Sequence, residues 1–144
     1  MTTYFNMTTY QEVWDMFNSL GRVNDTDLPT TSEGVYRLID NARILFNGYL
    51  KGCVVGFIEL GQDDLTETFT QNLDDSYKEL LVECIKLVIV RNMFSQFISD
   101  SEVFQTSIGV RNYRSQYASR GTLVKMQENR IDKLVMRLAD LLED

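Results

Sequence analysis

Residues Ser76 to Ile98, S-Y-K-E-L-L-V-E-C-I-K-L-V-I-V-R-N-M-F-S-Q-F-I, constrain the fold of this chain more than any other stretch. Leu87 to Val90 are consecutive apolar residues, so one helical turn is apolar on every side and has to be enclosed by protein. The polar residues do not keep to one face. Lys78, Glu79, Glu83 and Lys86 mark a stripe along the first half, whereas Arg91, Asn92, Ser95, Gln96 and Ser99 mark a different one along the second. A helix with this pattern changes partners midway. Ser76 and Glu79 have the spacing of a capping box, which predicts the helix start. Lys78, Glu79, Glu83, Lys86 and Arg91 interrupt the apolar run well short of the roughly 18 residues a membrane span needs. Burial inside protein is the expectation, with no membrane partner.

The rest of the chain reads as cover for that helix. Thr9 and Glu12 form a capping box ahead of Tyr10, Val13, Trp14, Phe17 and Leu20, which recur on one stripe and predict a helix stopped by Gly21. Trp14 is expected to anchor it. Thr30 and Glu33 open a second helix with Val35, Leu38, Ile39, Ala42, Leu45, Phe46, Tyr49 and Leu50 at three-and-four spacing, ending near Lys51 and Gly52. The run C-V-V-G-F-I-E-L-G is a brief strand or an extended packing segment, and residues 62–75 are an acidic, threonine-rich loop holding at most a short helix.

After the central helix, V-F-Q-T-S-I-G-V-R-N-Y-R-S-Q-Y alternates without a strong helical period and carries Gly109, predicting an extended arm or small hairpin at about 103–120. Gly121 separates it from a final helix at about 123–142, whose stripe is Leu123, Met126, Ile131, Leu134, Val135, Leu138 and Leu141. The fold class is therefore mainly α: a small helical bundle around one long central helix, in a single domain spanning residues 1–144.

Charge is unevenly spread. Residues 1–110 hold seven basic and sixteen acidic side chains, residues 111–137 hold seven basic and two acidic, and the last seven residues hold three acids and no base. A chain acidic at the front and basic towards the back is suited to binding a copy of itself or a charged neighbour; two solvated faces are the plainer reading. The start, M-T-T-Y-F-N-M-T-T, has neither a charged nor an apolar segment of a secretory signal, and the newly made chain is expected in a cytoplasm.

The sequence has no histidine, removing the commonest general base and metal ligand. It also has no P-loop, G-x-G-x-x-G, G-x-S-x-G or paired-cysteine site. Asp63 with Asp64, and Asp74 with Asp75, suit helix capping or solvation better than metal binding. Cys53 and Cys84 are expected to be reduced, buried and structural. No catalytic, cofactor or metal residue is assigned, and the chain is expected not to be an enzyme. Tyr113 and Tyr117 interleave with Arg111, Arg114 and Arg120 as on a nucleic-acid surface, although an acidic chain should hold DNA weakly.

In order and spacing, three motifs resemble the small helical head-tail connector (adaptor) proteins of tailed bacteriophages. E-V-W-D-M-F, then V-Y-R-L-I-D-N-A-R-I-L-F, looks like that family's opening helix pair. L-L-V-E-C-I-K-L-V-I-V-R-N-M is similar to its long apolar helix closing on an arginine, here Arg91. T-S-I-G-V-R-N-Y-R-S-Q-Y, then G-T-L-V-K-M-Q-E-N-R-I-D-K-L, resembles its arm and final helix. Arg111 and Arg114 stand where that arm usually has small or hydroxyl residues, and the final helix runs on to Asp144.

The resemblance implies a non-enzymatic subunit of the virion neck, made in the host cytoplasm. It forms a ring of commonly twelve copies beneath the portal protein, extends the DNA channel without specific DNA binding, and meets the next neck or tail-completion protein. Portal or inter-subunit contacts are expected at Arg111, Arg114, Tyr117, Arg120, Arg130, Lys133, Arg137, Leu138, Leu141 and Leu142, with residues 130–144 dispensable for folding the core. Arg91 is either a surface arginine or a member of an interior or inter-subunit ion pair with an acid in the front half. Two other readings stay open: a small cytoplasmic regulatory or nucleic-acid-binding module, and a tail-completion or stopper protein of the same neck.

Overall fold

The central helix is enclosed on all sides along its middle. In the computed structural model, which describes residues 7–20 and 28–143 with side chains to residue 140, it is α3, Asp75–Ser99, and every residue from Leu80 to Ile89 is buried. The other described elements are α1 (Tyr10–Leu20), α2 (Ser32–Lys51), the short strands β1 (Gln62–Asp63) and β2 (Thr68–Phe69), α4 (Ser101–Ile108) and α5 (Val110–Glu143). The architecture is mainly α, a small bundle around α3, as the sequence implies. One hydrophobic cluster joins Val13 and Phe17 of α1, Ile39 and Phe46 of α2, Leu80 to Ile89 of α3, and Ile131, Leu134, Val135 and Leu138 of α5.

Local chemistry explains the helix ends. Thr9 Oγ1 accepts from the Glu12 N–H at 3.1 Å, as the capping box predicts. The second helix is capped by Thr31, one residue after the expected Thr30, through the Gly34 N–H at 3.1 Å. For α3 the cap is Asp74, not Ser76: its carboxylate accepts from the Tyr77 N–H at 3.0 Å and adds favourable negative charge at the helix N-terminus. Gly52 ends α2 as expected. The expected stop at Gly21 lies outside the described residues. Trp14 is half-buried against the core and stacks on Phe17, ring centroids 5.1 Å apart.

The acidic stretch contains a hairpin where a loop or short helix was expected. Gln62 pairs with Phe69 and Asp63 with Thr68, antiparallel, and Thr9 adds a bridge to Thr68. Phe69 is buried and Thr8 supplies a side-chain oxygen to the Leu73 N–H at 2.7 Å, tying the hairpin to the start of α1. The segment before β1 is neither a strand nor an extended packing segment: residues 52–56 form turns, with Gly56 at φ 74° and Val55 and Ile58 exposed, and only Leu60 is buried, its backbone paired with Asn47 of α2 in both directions at 2.8 and 2.9 Å. Cys53 is exposed, contrary to expectation, because it lies in the turn that follows the last residue of α2; Cys84 is buried.

The expected extended arm at 103–120 is helical. Gly109, at φ 87°, breaks the chain into α4 and α5, and α5 begins at Val110, well before the expected Leu123. The misleading signal was alternation in a short window. Across a longer one, Tyr113, Tyr117, Gly121 and Val124 recur at helical spacing, and they face α3. Gly121 is inside the helix, and a Cβ there would lie in ordinary contact with the Phe94 ring, at 3.5 Å.

Candidate interaction surface

At 34 residues, α5 is about 51 Å long at 1.5 Å per residue. A compact 144-residue domain has a radius of gyration of roughly 14–15 Å. The helix is thus too long to lie within the bundle, and its two halves differ accordingly. No residue from Val110 to Arg130 is buried, whereas Ile131, Leu134, Val135 and Leu138 are. The N-terminal half of α5, α4 and the end of α3 together form a helical arm projecting from the bundle.

The arm has its own small aromatic core. Phe97 is the one buried residue of α3 beyond Ile89; it stacks on Tyr113 at 4.8 Å, meets Phe104 at 4.8 Å, and carries the Arg120 guanidinium 4.4 Å above its ring. Phe94 meets Tyr117 at 5.1 Å. Each aromatic pair contributes about 0.5–1.5 kcal/mol beyond area burial, and the cation-π contact a similar amount. Outside that core, Val103, Val110 and Leu123 are at least half exposed, beside exposed Arg111 and Arg114. The two polar stripes of the central helix therefore have different meanings: its first half packs under α1, α2 and α5, and its second half supports the arm.

A second feature lies where α3 crosses the buried half of α5. Glu83 and Lys86, which read as part of a polar stripe, are buried there. Gln127 of α5 donates to the Glu83 backbone carbonyl at 2.9 Å and to its carboxylate, while Lys86 Nζ donates to the Leu20 carbonyl at 3.1 Å and lies 3.5 Å from Glu83 Oε1. Lys86 thus satisfies a carbonyl at the C-terminus of α1, where positive charge is favoured. Beside this network a groove of about 600 Å³ opens between α3 and α5, with Leu20, Met126 and Leu134 among its apolar lining and Lys133 and Arg137 on its basic side.

The remaining expected contacts divide by burial. Arg111, Arg114, Lys133 and Arg137 are exposed, Tyr117 is partly exposed, and Arg120 is held over Phe97. Arg130 is exposed and reaches within 3.8 Å of Glu83. Leu138 is not a free contact residue: it is buried in the core, because its stripe faces α3. Leu141 and Leu142 lie outside the described side chains. Through Ile131, Leu134, Val135 and Leu138, residues 131–138 are part of the core and not a detachable contact element. Within one copy Arg91 pairs with Glu128 of α5 at 3.8 Å, both side chains about two-fifths exposed, and not with an interior acid of the front half.

Sequence reasoning missed the tip of the β1–β2 hairpin. Leu65 is 96% exposed there between Asp64 and Glu67. Asp63 accepts from the Leu65 N–H at 2.9 Å, Tyr10 donates its hydroxyl to Asp64, and Glu67 takes a positive φ of 53°, so the tip is held in shape. Loss of hydration and then the Asp64 carboxylate push the Tyr10 phenol well above its ordinary value; at Tyr36 the same direction follows from loss of hydration, then Glu67 and Asp64. The one legible signal was a single leucine inside an acidic run. Among the described residues no helix is long and apolar enough to cross a membrane.

The sequence profile of the YomZ prophage proteins matches residues 7–140. The chain belongs to the YomZ prophage protein family. Over 133 residues the YomZ-family chain is 26% identical to SPbeta prophage-derived uncharacterized protein YomZ of Bacillus subtilis (strain 168), covering 92% of this chain and 97% of that relative. No solved structure matches it. The hairpin, the groove and the arm of the YomZ-family chain all lie within the matched region.

Proposed function

We propose that this chain is a structural, non-catalytic head-tail connector (adaptor) subunit of a phage neck. Copies form a ring beneath the portal protein, extend the DNA channel and offer a platform to the next neck or tail-completion protein, in the virion after assembly in the host cytoplasm. The observation that carries this reading is the arm: a helical projection with its own aromatic core that presents Val103, Val110, Leu123, Arg111 and Arg114 to a partner. A prophage family supports it at the coarser level. Twelve copies would match the symmetry expected from the connector resemblance. An acidic channel wall would repel DNA and let it slide.

Deleting the gene from an inducible prophage that encodes this chain tests the proposal. Electron microscopy of the lysate should show DNA-filled heads separated from tails, restored by the wild-type gene and not by Leu123→Asp. Joined, infectious particles without the gene would sink it. A duplex-DNA gel shift whose affinity falls steeply with salt would favour the nucleic-acid-binding module instead.

A further inference from the structure

The hairpin tip and the α3/α5 groove are opposite in charge, and each carries apolar side chains. The tip presents Asp63, Asp64 and Glu67 around Leu65, an apolar side chain standing almost free of the protein. The groove combines an apolar lining of Leu20, Met126 and Leu134 with four cations, Lys86, Arg130, Lys133 and Arg137, against Glu79 and Glu83. Of those two acids, Glu83 is already engaged by Lys86 and Gln127. Among the described residues no carboxylate lies within ion-pair distance of Lys133 or Arg137, and none of the three tip acids has a basic partner.

The two features sit at opposite ends of α1. The tip is tied to its start through Tyr10, and the groove begins at its last residue, Leu20. An 11-residue helix separates its ends by about 15 Å. One copy therefore cannot fill its own groove with its own tip.

We propose that the β1–β2 tip of one copy seats in the α3/α5 groove of the next copy of this chain, Leu65 entering between Met126 and Leu134 while the tip acids meet Lys133 and Arg137. Because two different patches meet, the contact is head-to-tail and generates a ring or a filament, not a closed two-fold pair. It deepens the ring reading above by naming the inter-subunit contact. A tip spanning only residues 63–67 buries far less than the roughly 1,200–2,000 Å² of a stable standard interface, so the contact is weak for two copies and gains strength when neighbours are held together.

Disulfide trapping tests it on the full chain. In a Cys53→Ser background, Leu65→Cys combined with Met126→Cys should give, on mild oxidation, a ladder of dimers, trimers and larger species, because each copy carries one partner of each kind. Either cysteine alone should stop at dimers. Adding Lys133→Glu should reduce the ladder about tenfold, since like charge across an interface opposes docking, and Asp63→Lys should restore it. Both introduced cysteines replace exposed side chains, so folding is not at issue. A double variant that yields only dimers, or a ladder indifferent to Lys133→Glu, overturns the proposal. Portal co-purification of the same variants separates the two ideas: portal binding without a ladder removes this contact alone, and a ladder without portal binding removes the connector role alone.

Discussion

Gln127 of α5 holds Glu83 of α3 from across the bundle, its side-chain amide reaching both the backbone carbonyl at 2.9 Å and the carboxylate. This bond compensates a carboxylate that is only 5% exposed at the centre of the main helix pair. Lys86 and the more distant Arg130 supply the charge, and Gln127 supplies the directed donor.

Replacing Gln127 with Ala should therefore destabilise the protein by about 1–3 kcal/mol, the cost of leaving a buried charged acceptor short of a partner. Gln127→Glu should cost more, because it adds a second carboxylate beside the first. Urea unfolding checks this: the midpoint should fall with the slope unchanged, the signature of lost native stability. A wild-type midpoint for Gln127→Ala would mean that solvent already satisfies Glu83.

Arg91 and Ile131 both lie where α3 meets α5, and their replacement should have very different effects. The Arg91–Glu128 pair is long at 3.8 Å and well exposed, so Arg91→Met should change stability by less than about 1 kcal/mol. Ile131 is fully buried, and Ile131→Ala should cost about 2–5 kcal/mol through lost burial and the cavity left behind. Truncation before residue 131 should unfold the bundle, which loss of the far-ultraviolet helical signal would report.

The continuity of α5 can be tested at Gly121. A Cβ at this position would meet Phe94 at ordinary contact distance, and glycine inside a helix is about 0.5–1 kcal/mol less favourable than alanine. Gly121→Ala should raise thermal stability by a few degrees. If the residue instead marked a break between an arm and a separate helix, the same substitution would be neutral or harmful.

Alkaline pH should loosen the core from a known starting point. Burial pushes the Cys84 thiol up from its ordinary 9.0, and burial is also the leading cause at Tyr77 and Tyr49, both raised from 10.0. A group that keeps its proton in the folded state but releases it when unfolded favours unfolding as pH rises past the unfolded value. Stability should thus be level below about pH 8 with respect to these groups and decline from pH 9 upwards, and Cys84→Ala should remove the earliest part of that decline. Thiol labelling offers a direct companion measurement: one cysteine, Cys53, should react in the native protein and both in urea.

The sequence by itself determined the first two helices and the enclosure of the central one. Helical spacing and caps mark α1 and α2 to within a residue or so, and the four apolar residues from Leu87 to Val90 require an enclosed central helix in any fold. Those properties depend on neighbours along the chain. What only the tertiary structure decided is which polar side chains face inward. Glu83 and Lys86 read as a solvated stripe until Gln127, 44 residues later, and the Leu20 carbonyl, 66 residues earlier, provide their hydrogen bonds. The same holds for the arm. Residues 110–122 have too weak an apolar face to predict a helix alone, and they become one because Phe94 and Phe97 offer their aromatic rings something to pack against. A buried charge or a marginal helix is stable only with partners, and distance along the chain hides those partners until the fold brings them together.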